Sequence, residues 1–243
     1  MAIYNILIYH PIYNLLVGLS AIMPGHNFGL AIILLTVVLK LVLLPLTIKS
    51  TRSQKALQDL QPKMEELKRQ YKDQKEKLTV AMMDLYKKEK VNPFSSCLPL
   101  LIQLPFLIAV YSALRHVGQG IDSSLLYSFI PNPGSVNMNF VWMDLAKAAP
   151  VMAVLAGISQ YFQVAMLSTK KPEVKGEGSK DEDMTAMMNK QMKYMMPVMT
   201  VFIGISLPGG LTLYWLIMTI TTIVQQYFIF KQKPNEELQL TGK

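Results

Sequence analysis

The chain has one cysteine, Cys97, among 243 residues, which excludes an internal disulfide framework and a thiolate metal site. Its three histidines, His10, His26 and His116, stand apart, with no HExxH pair and no acid at metal-ligand spacing. Neither a GxSxG nor a phosphate-loop pattern occurs. This inventory points away from an enzyme: no metal, no cofactor and no catalytic residue is expected. Charge is scarce, at 16% of residues, where soluble domains carry about a quarter. No Lys or Arg precedes Lys40, and no Asp or Glu falls inside any apolar block. The missing acids count against a carboxylate-coupled proton or sodium transporter.

What the chain has instead is apolar length: 51% of residues are hydrophobic, arranged in blocks about as long as a bilayer is thick. Phe28 to Ile48, Phe94 to Leu114, Ala148 to Ser168 and Leu211 to Phe230 read as spans. Tyr194 to Leu207 reads as a short fifth, joined to the last by the turn Pro208-Gly209-Gly210. The fold expected is all-α: a five-helix transmembrane bundle with a cytoplasmic helical hairpin and an N-terminal interfacial helix.

The net charge of +8 is distributed unevenly. Of 24 Lys and Arg, 12 lie from Lys49 to Lys90, six from Lys170 to Lys193 and three after residue 230. Basic stretches interleaved with acids and separated by apolar blocks indicate positive-inside topology, not sequence-specific nucleic-acid binding. The expected order follows. Residues 1–27 form an extracytoplasmic amphipathic segment, 28–50 the first span, 51–93 a cytoplasmic hairpin and 94–116 the second span. Residues 117–147 are an extracytoplasmic loop, 148–168 the third span and 169–190 a cytoplasmic loop. The fourth and fifth spans form a hairpin over 191–230, and 231–243 is a cytoplasmic tail. The N-terminus is then outside and the C-terminus inside. The first residues carry no basic n-region and no Arg-rich leader, so a multi-pass protein of a bacterial plasma membrane is expected.

Residues 3–23 could either span or lie on the membrane. The interfacial placement is preferred, with Tyr4, Tyr9 and Tyr13 at headgroup depth, because a span would leave a cytoplasmic end without a basic side chain. Within 51–90, Leu57, Leu60, Met64, Leu67 and Tyr71 recur at helical spacing, as do Leu78, Met82 and Leu85. Two antiparallel helices on an apolar seam follow, with Pro62 kinking the first.

Lys40 stands out, twelve positions into the first span and roughly 13 Å from its cytoplasmic end at 1.5 Å per residue. Snorkelling would explain it in part. Thr36 and Thr47 on the same face point to a wet cavity. The last span carries a polar stripe of Thr212, Trp215, Thr219, Thr222 and Gln226, and other spans add Gln103, Ser159, Gln160 and Gln163. Singly these residues are interhelical glue. Together with an unneutralised cation they suggest a hydrated, positively charged groove. A small-solute transporter or channel is the alternative, but repeats and a second buried charge are missing.

The stretches GLAIILLT (29–36), LPL (44–46), LQPKMEEL (60–67), LYKK (85–88), VNPFSSCLPLLIQLP (91–105) and LPGGLTLYW (207–215) occur in order along nearly the whole chain. In them the sequence resembles the YidC/Oxa/Alb family of membrane-protein insertases. The resemblance implies five core helices around a groove open to cytoplasm and lipid, followed after the first helix by a cytoplasmic hairpin. It implies substrate contacts at Lys40, Thr36, Gln103, Gln160, Gln163, Thr212, Tyr214, Trp215, Thr219 and Thr222. The family's groove cation is usually Arg; here Lys40 holds its place, keeping the charge without the bidentate fork. Nascent membrane proteins and the lipid bilayer are the implied partners, with the ribosome, targeting factors and the Sec translocase as further candidates. A large extracytoplasmic domain and a long basic tail are not expected.

Overall fold

A computed structural model describes residues 2–71, 74–92, 98–167 and 191–231. The loop expected at 169–190, the tail expected at 231–243 and Cys97 lie, but for Lys231, outside the described residues. Among the described residues nine helices follow one another: α1 Ala2–Ile22, with one wider turn at Asn5–Tyr9; α2 Phe28–Val42; α3 Leu44–Asp59; α4 Gln61–Gln70; and α5 Lys75–Lys88. Next are α6 Leu98–Gln119, α7 Pro150–Leu167, α8 Met196–Gly204, entered through a wide turn at Gln191–Met195, and α9 Gly209–Lys231. A two-stranded hairpin, β1 Asn139–Phe140 and β2 Met143–Asp144, interrupts the loop between α6 and α7. The protein is an all-α membrane protein: α1, α6, α7 and α9 are long and apolar enough to cross a bilayer, and the bent pair α2–α3 is a fifth candidate.

The stretch 28–50 is not one straight helix. It breaks at Leu43, and α3 leaves α2 at 70°. Pro45 is the cause, since it has no N–H to continue the ladder and stands in the first turn of the new helix. The second break expected from Pro62 falls at Leu60, between α3 and α4. Because of the bend, α3 runs across one end of the bundle and touches α6, α7 and α9.

The last helix is the hub, packing on α2, α6, α7 and α3. Its start is secured by backbone: Gly209 N–H donates to Lys147 O at 2.7 Å, and Gly210 N–H to Leu145 O at 2.9 Å. These bonds satisfy donors that a helix start otherwise leaves unpaired. The α7–α8 pair depends on small residues: a Cβ at Gly157 would lie 2.4 Å from Val201 Cγ2, and one at Gly204 2.8 Å from Ala153 Cβ. The α8 segment is short for a span and lies along α7.

Helix α1 packs along α6 and the loop that follows it. Tyr9 and Tyr13 are core residues. The Tyr9 hydroxyl bonds His116 Nδ1 at 2.6 Å, and the Tyr13 hydroxyl accepts from Asp122 N–H at 2.9 Å. Buried Asn14 donates to His10 O and Leu125 O and accepts from Tyr127 N–H, so the polar residues of this apolar helix clamp the loop after α6. The Tyr4 hydroxyl donates to Pro105 O at 3.4 Å, in the middle of α6. The helix therefore runs beside α6 for part of its length.

In the hairpin, α4 and α5 close on half-buried Met64, Leu67, Leu78, Met82 and Leu85. The Tyr86 hydroxyl donates to Met64 Sδ at 3.7 Å, and burial raises its pKa. Lys63 pairs with Glu89 at 2.5 Å near the open end. In the loop after α6, the Lys147 ammonium, 3.0 Å from Asp144, and the Ala146 N–H hold the Asp144 carboxyl below the usual carboxylate range.

Candidate functional site

Two helices that are far apart in sequence bring Lys40 into a site. From the last turn of α2, its Nζ donates to the Thr222 hydroxyl of α9 at 2.8 Å. Thr222 in turn donates to Met218 O at 2.7 Å, as a threonine inside a helix commonly does. Nearby, the Gln225 amide donates to the Thr47 hydroxyl at 3.0 Å, joining the start of α3 to α9. The Lys55 ammonium donates to Phe230 O at 3.2 Å and lies 6.0 Å from the Phe230 ring centroid. Thus the bend is tied to the last helix by polar contacts on both sides of Leu43.

Beside Lys40 opens a cleft of about 360 Å³ between the bent pair and α9. Val37, Leu41, Leu44, Ile48, Val224, Phe228 and Ile229 make its apolar walls; Lys40, Arg52, Thr221 and Gln225 are its polar groups. Among the described residues, its lining has two cations and no carboxylate. Leu41, Val224 and Phe228 are exposed, so the cleft opens sideways, where lipid would be. Such a site can hold an apolar segment along its walls while donating hydrogen bonds to a carboxylate or carbonyl at Lys40.

The other sequence-predicted site residues are placed elsewhere. Thr36 is fully buried, donating to Ile32 O at 2.6 Å. Thr212 is buried at the opposite end of α9, donating to Gly209 O at 3.0 Å, and Thr219 is buried, donating to Trp215 O at 2.9 Å. Gln103 donates to buried Tyr214 at 2.6 Å, joining α6 to α9. The Thr200 hydroxyl donates to Gln160 Oε1, joining α8 to α7. Trp215 and Gln163 are half-buried. Lys40 and Thr222 are the two that the structure brings into direct contact around the cleft.

The family model of the 60Kd inner membrane protein matches residues 19–236. The chain belongs to this family. Among its members, the protein named membrane protein insertase YidC of Fusobacterium nucleatum is 37% identical over 229 residues, covering 91% of this chain and 98% of its own. The membrane protein insertase MisCA of Bacillus subtilis is 34% identical over 93% of this chain and 80% of its own. For the membrane protein insertase YidC of Geotalea daltonii, the match at 38% identity covers 86% of this chain but 35% of the relative. The crystal structure of an active YidC insertase with its first transmembrane domain resolved is similar at a TM-score of 0.60 and 26% identity, covering 93% of this chain and 46% of that one.

Within this family fold, Arg52, Thr221 and Gln225 are cleft residues that the sequence reading did not single out. The polar stripe on the last helix was followed from Thr222 to Gln226. Helical spacing allows the step to Gln225 equally. Gln226 is buried at 2% exposure, with its Oε1 unbonded. Arg52, twelve residues after Lys40, would lie off the Lys40 face of a straight helix, and the bend at Leu43 brings it to the same cleft.

Proposed function

We propose that this chain inserts integral membrane proteins and helps them fold, receiving a polar or acidic tail of the substrate at the Lys40 cleft. The observation that carries the reading is the Lys40–Thr222 contact at 2.8 Å beside a cleft whose described lining contains no carboxylate. A cation held by a neutral hydroxyl keeps its charge uncompensated and retains two N–H groups for an incoming acceptor. Moving a polar tail across hydrocarbon is costly because its hydrogen bonds with water are lost, and donors in the cleft offset part of that loss. Arg52 adds attraction along the same cleft, and the apolar walls allow the substrate helix to leave sideways into lipid. Membership of a family whose relatives are named insertases supports the same conclusion.

The orientation proposed with this function places the α4–α5 hairpin and the bend in the cytoplasm and the β1–β2 loop outside, because basic residues concentrate in 49–93. The hairpin would be where nascent chains, the ribosome or targeting factors first touch. A single cysteine at Lys77, in a Cys97→Ser background, should react with an impermeant thiol reagent only from the cytoplasmic side, and one at Asn132 only from outside. The reverse pattern overturns the orientation.

The function is tested by reconstituting the pure protein in liposomes and supplying a single-span substrate with a short acidic tail. Protease-protected substrate should appear only in vesicles that contain the protein. Failure to protect, together with solute leakage through the same vesicles, would favour a transporter or channel.

A further inference from the structure

A second cleft, about 290 Å³, lies at the far end of the bundle from Lys40, between the last turns of α6, the start of α9 and the loop before α7. Tyr111, Arg115 and Gln119 line it from one helix at successive intervals of four residues, so their polar tips share a face. Phe28, Leu114 and Leu211, all buried, form its apolar floor. Among the described residues none of these three polar side chains has a hydrogen-bond or ion-pair partner, and no Asp or Glu lines the cleft. A guanidinium, a phenol and an amide lining one cleft supply the donors that an anion needs.

Below the cleft, the same face of α6 is an apolar track. Leu101, Leu104 and Ile108 are exposed, and Tyr111 continues them at helical spacing up to Arg115. From Leu104 to Arg115 the track is about 16 Å long at 1.5 Å per residue, close to the hydrocarbon depth of one leaflet. An anion site at the top of such a track matches one molecule: a phospholipid, with its phosphate at Arg115 and an acyl chain along α6. The cleft has no carboxylate to hold a headgroup ammonium, which favours an anionic lipid over a zwitterionic one.

We propose that Tyr111, Arg115 and Gln119 form a binding site for a single anionic phospholipid, separate from the Lys40 cleft. Arg115 grips the phosphate bidentately, and Tyr111 and Gln119 donate from either side. The bound lipid seals the gap between α6, α9 and the β1–β2 loop.

The test uses the full chain in nanodiscs of phosphatidylcholine with a minor share of phosphatidylglycerol, released and weighed by native mass spectrometry. Phosphatidylglycerol should be retained in preference to phosphatidylcholine. Arg115→Gln should lower that retention several-fold, Gln119→Leu should lower it less, and Lys40→Gln should leave it unchanged. Arg115→Lys should restore part of it, because charge returns without the fork. Arg115 and Gln119 are exposed, so these variants keep the fold, which an unchanged thermal midpoint would verify. Retention unaffected by Arg115→Gln, or equal retention of both lipids, overturns the proposal. Displacement of the lipid by added inorganic phosphate would also overturn it, as a free-anion site. Insertion assays on the same variants separate the two clefts: loss of insertion in Lys40→Gln with lipid retained leaves this site standing independently of the proposed function.

Discussion

The side-chain amide of half-buried Gln103 donates to the hydroxyl of Tyr214 at 2.6 Å, joining α6 to α9. Tyr214 is 1% exposed, so its ring fills the core while its oxygen serves as the acceptor. Replacing it by Phe keeps the ring and leaves a half-buried amide without its partner. Such an orphan costs about 1–3 kcal/mol. Tyr214→Phe should therefore lower the thermal midpoint in detergent, and adding Gln103→Leu should recover much of the loss. A single variant that melts like the native protein would show that this bond contributes nothing.

The contact of α7 with α8 depends on the missing side chain of Gly157. A methyl there would meet Val201 Cγ2 at 2.4 Å and Pro197 O at 3.0 Å. Val201 is β-branched and stiff, and Pro197 presents backbone, so neither can move aside cheaply. Gly157→Ala should destabilise by about 1–3 kcal/mol through overpacking. Combining it with Val201→Ala should restore part of the stability, measured by unfolding in a denaturing detergent. Absence of rescue would move the cause away from this contact.

The hairpin is a separable element, with an apolar seam of its own. Leu67 is half-buried in that seam, so Leu67→Asp puts a charge where Leu78 and Leu85 pack. Amide hydrogen exchange over 61–88 should rise while exchange over 209–231 stays slow, and substrate insertion should slow. Unchanged insertion with an opened hairpin would make the hairpin dispensable.

Periodicity and charge bias were enough to recover the helical architecture and the α4–α5 seam, because both follow from residue type at fixed spacing. The bend at Leu43 was only half legible. Pro45 marks a break, but the 70° angle depends on α3 finding α6, α7 and α9 to lie against. For α1, sequence shows Asn14 and the tyrosines as polar groups on an apolar helix, and only the structure shows that they bond α6 and the loop after it. The polar stripe on α9 behaves in the same way: Thr212 and Thr219 return their hydroxyls to their own helix. A sequence shows that such residues share a face. Whether that face lines a cleft or a helix contact is decided by the neighbour.

Lys40 provides the sharpest test of function, because charge and burial predict opposite outcomes. If the Lys40 ammonium attracts acidic tails, Lys40→Arg should preserve insertion and Lys40→Glu should impair it. The loss should be greatest for acidic tails, where attraction becomes repulsion. At an effective dielectric of about 20, two unit charges roughly 8 Å apart interact by about 2 kcal/mol. Reversing one sign should therefore change capture of an acidic tail by an order of magnitude or more, and capture of a neutral tail far less. Lys40→Leu separates charge from packing. It removes the donor to Thr222 but keeps an apolar stem, so the fold should hold or gain stability as a costly cation leaves the membrane. Under the electrostatic mechanism the same variant should insert acidic tails poorly despite its sound fold. The three variants are to be compared at matched protein levels with acidic-tail and neutral-tail substrates. Wild-type insertion of both by Lys40→Leu and Lys40→Glu would reduce Lys40 to a bystander and leave Arg52 to account for any preference for acidic tails.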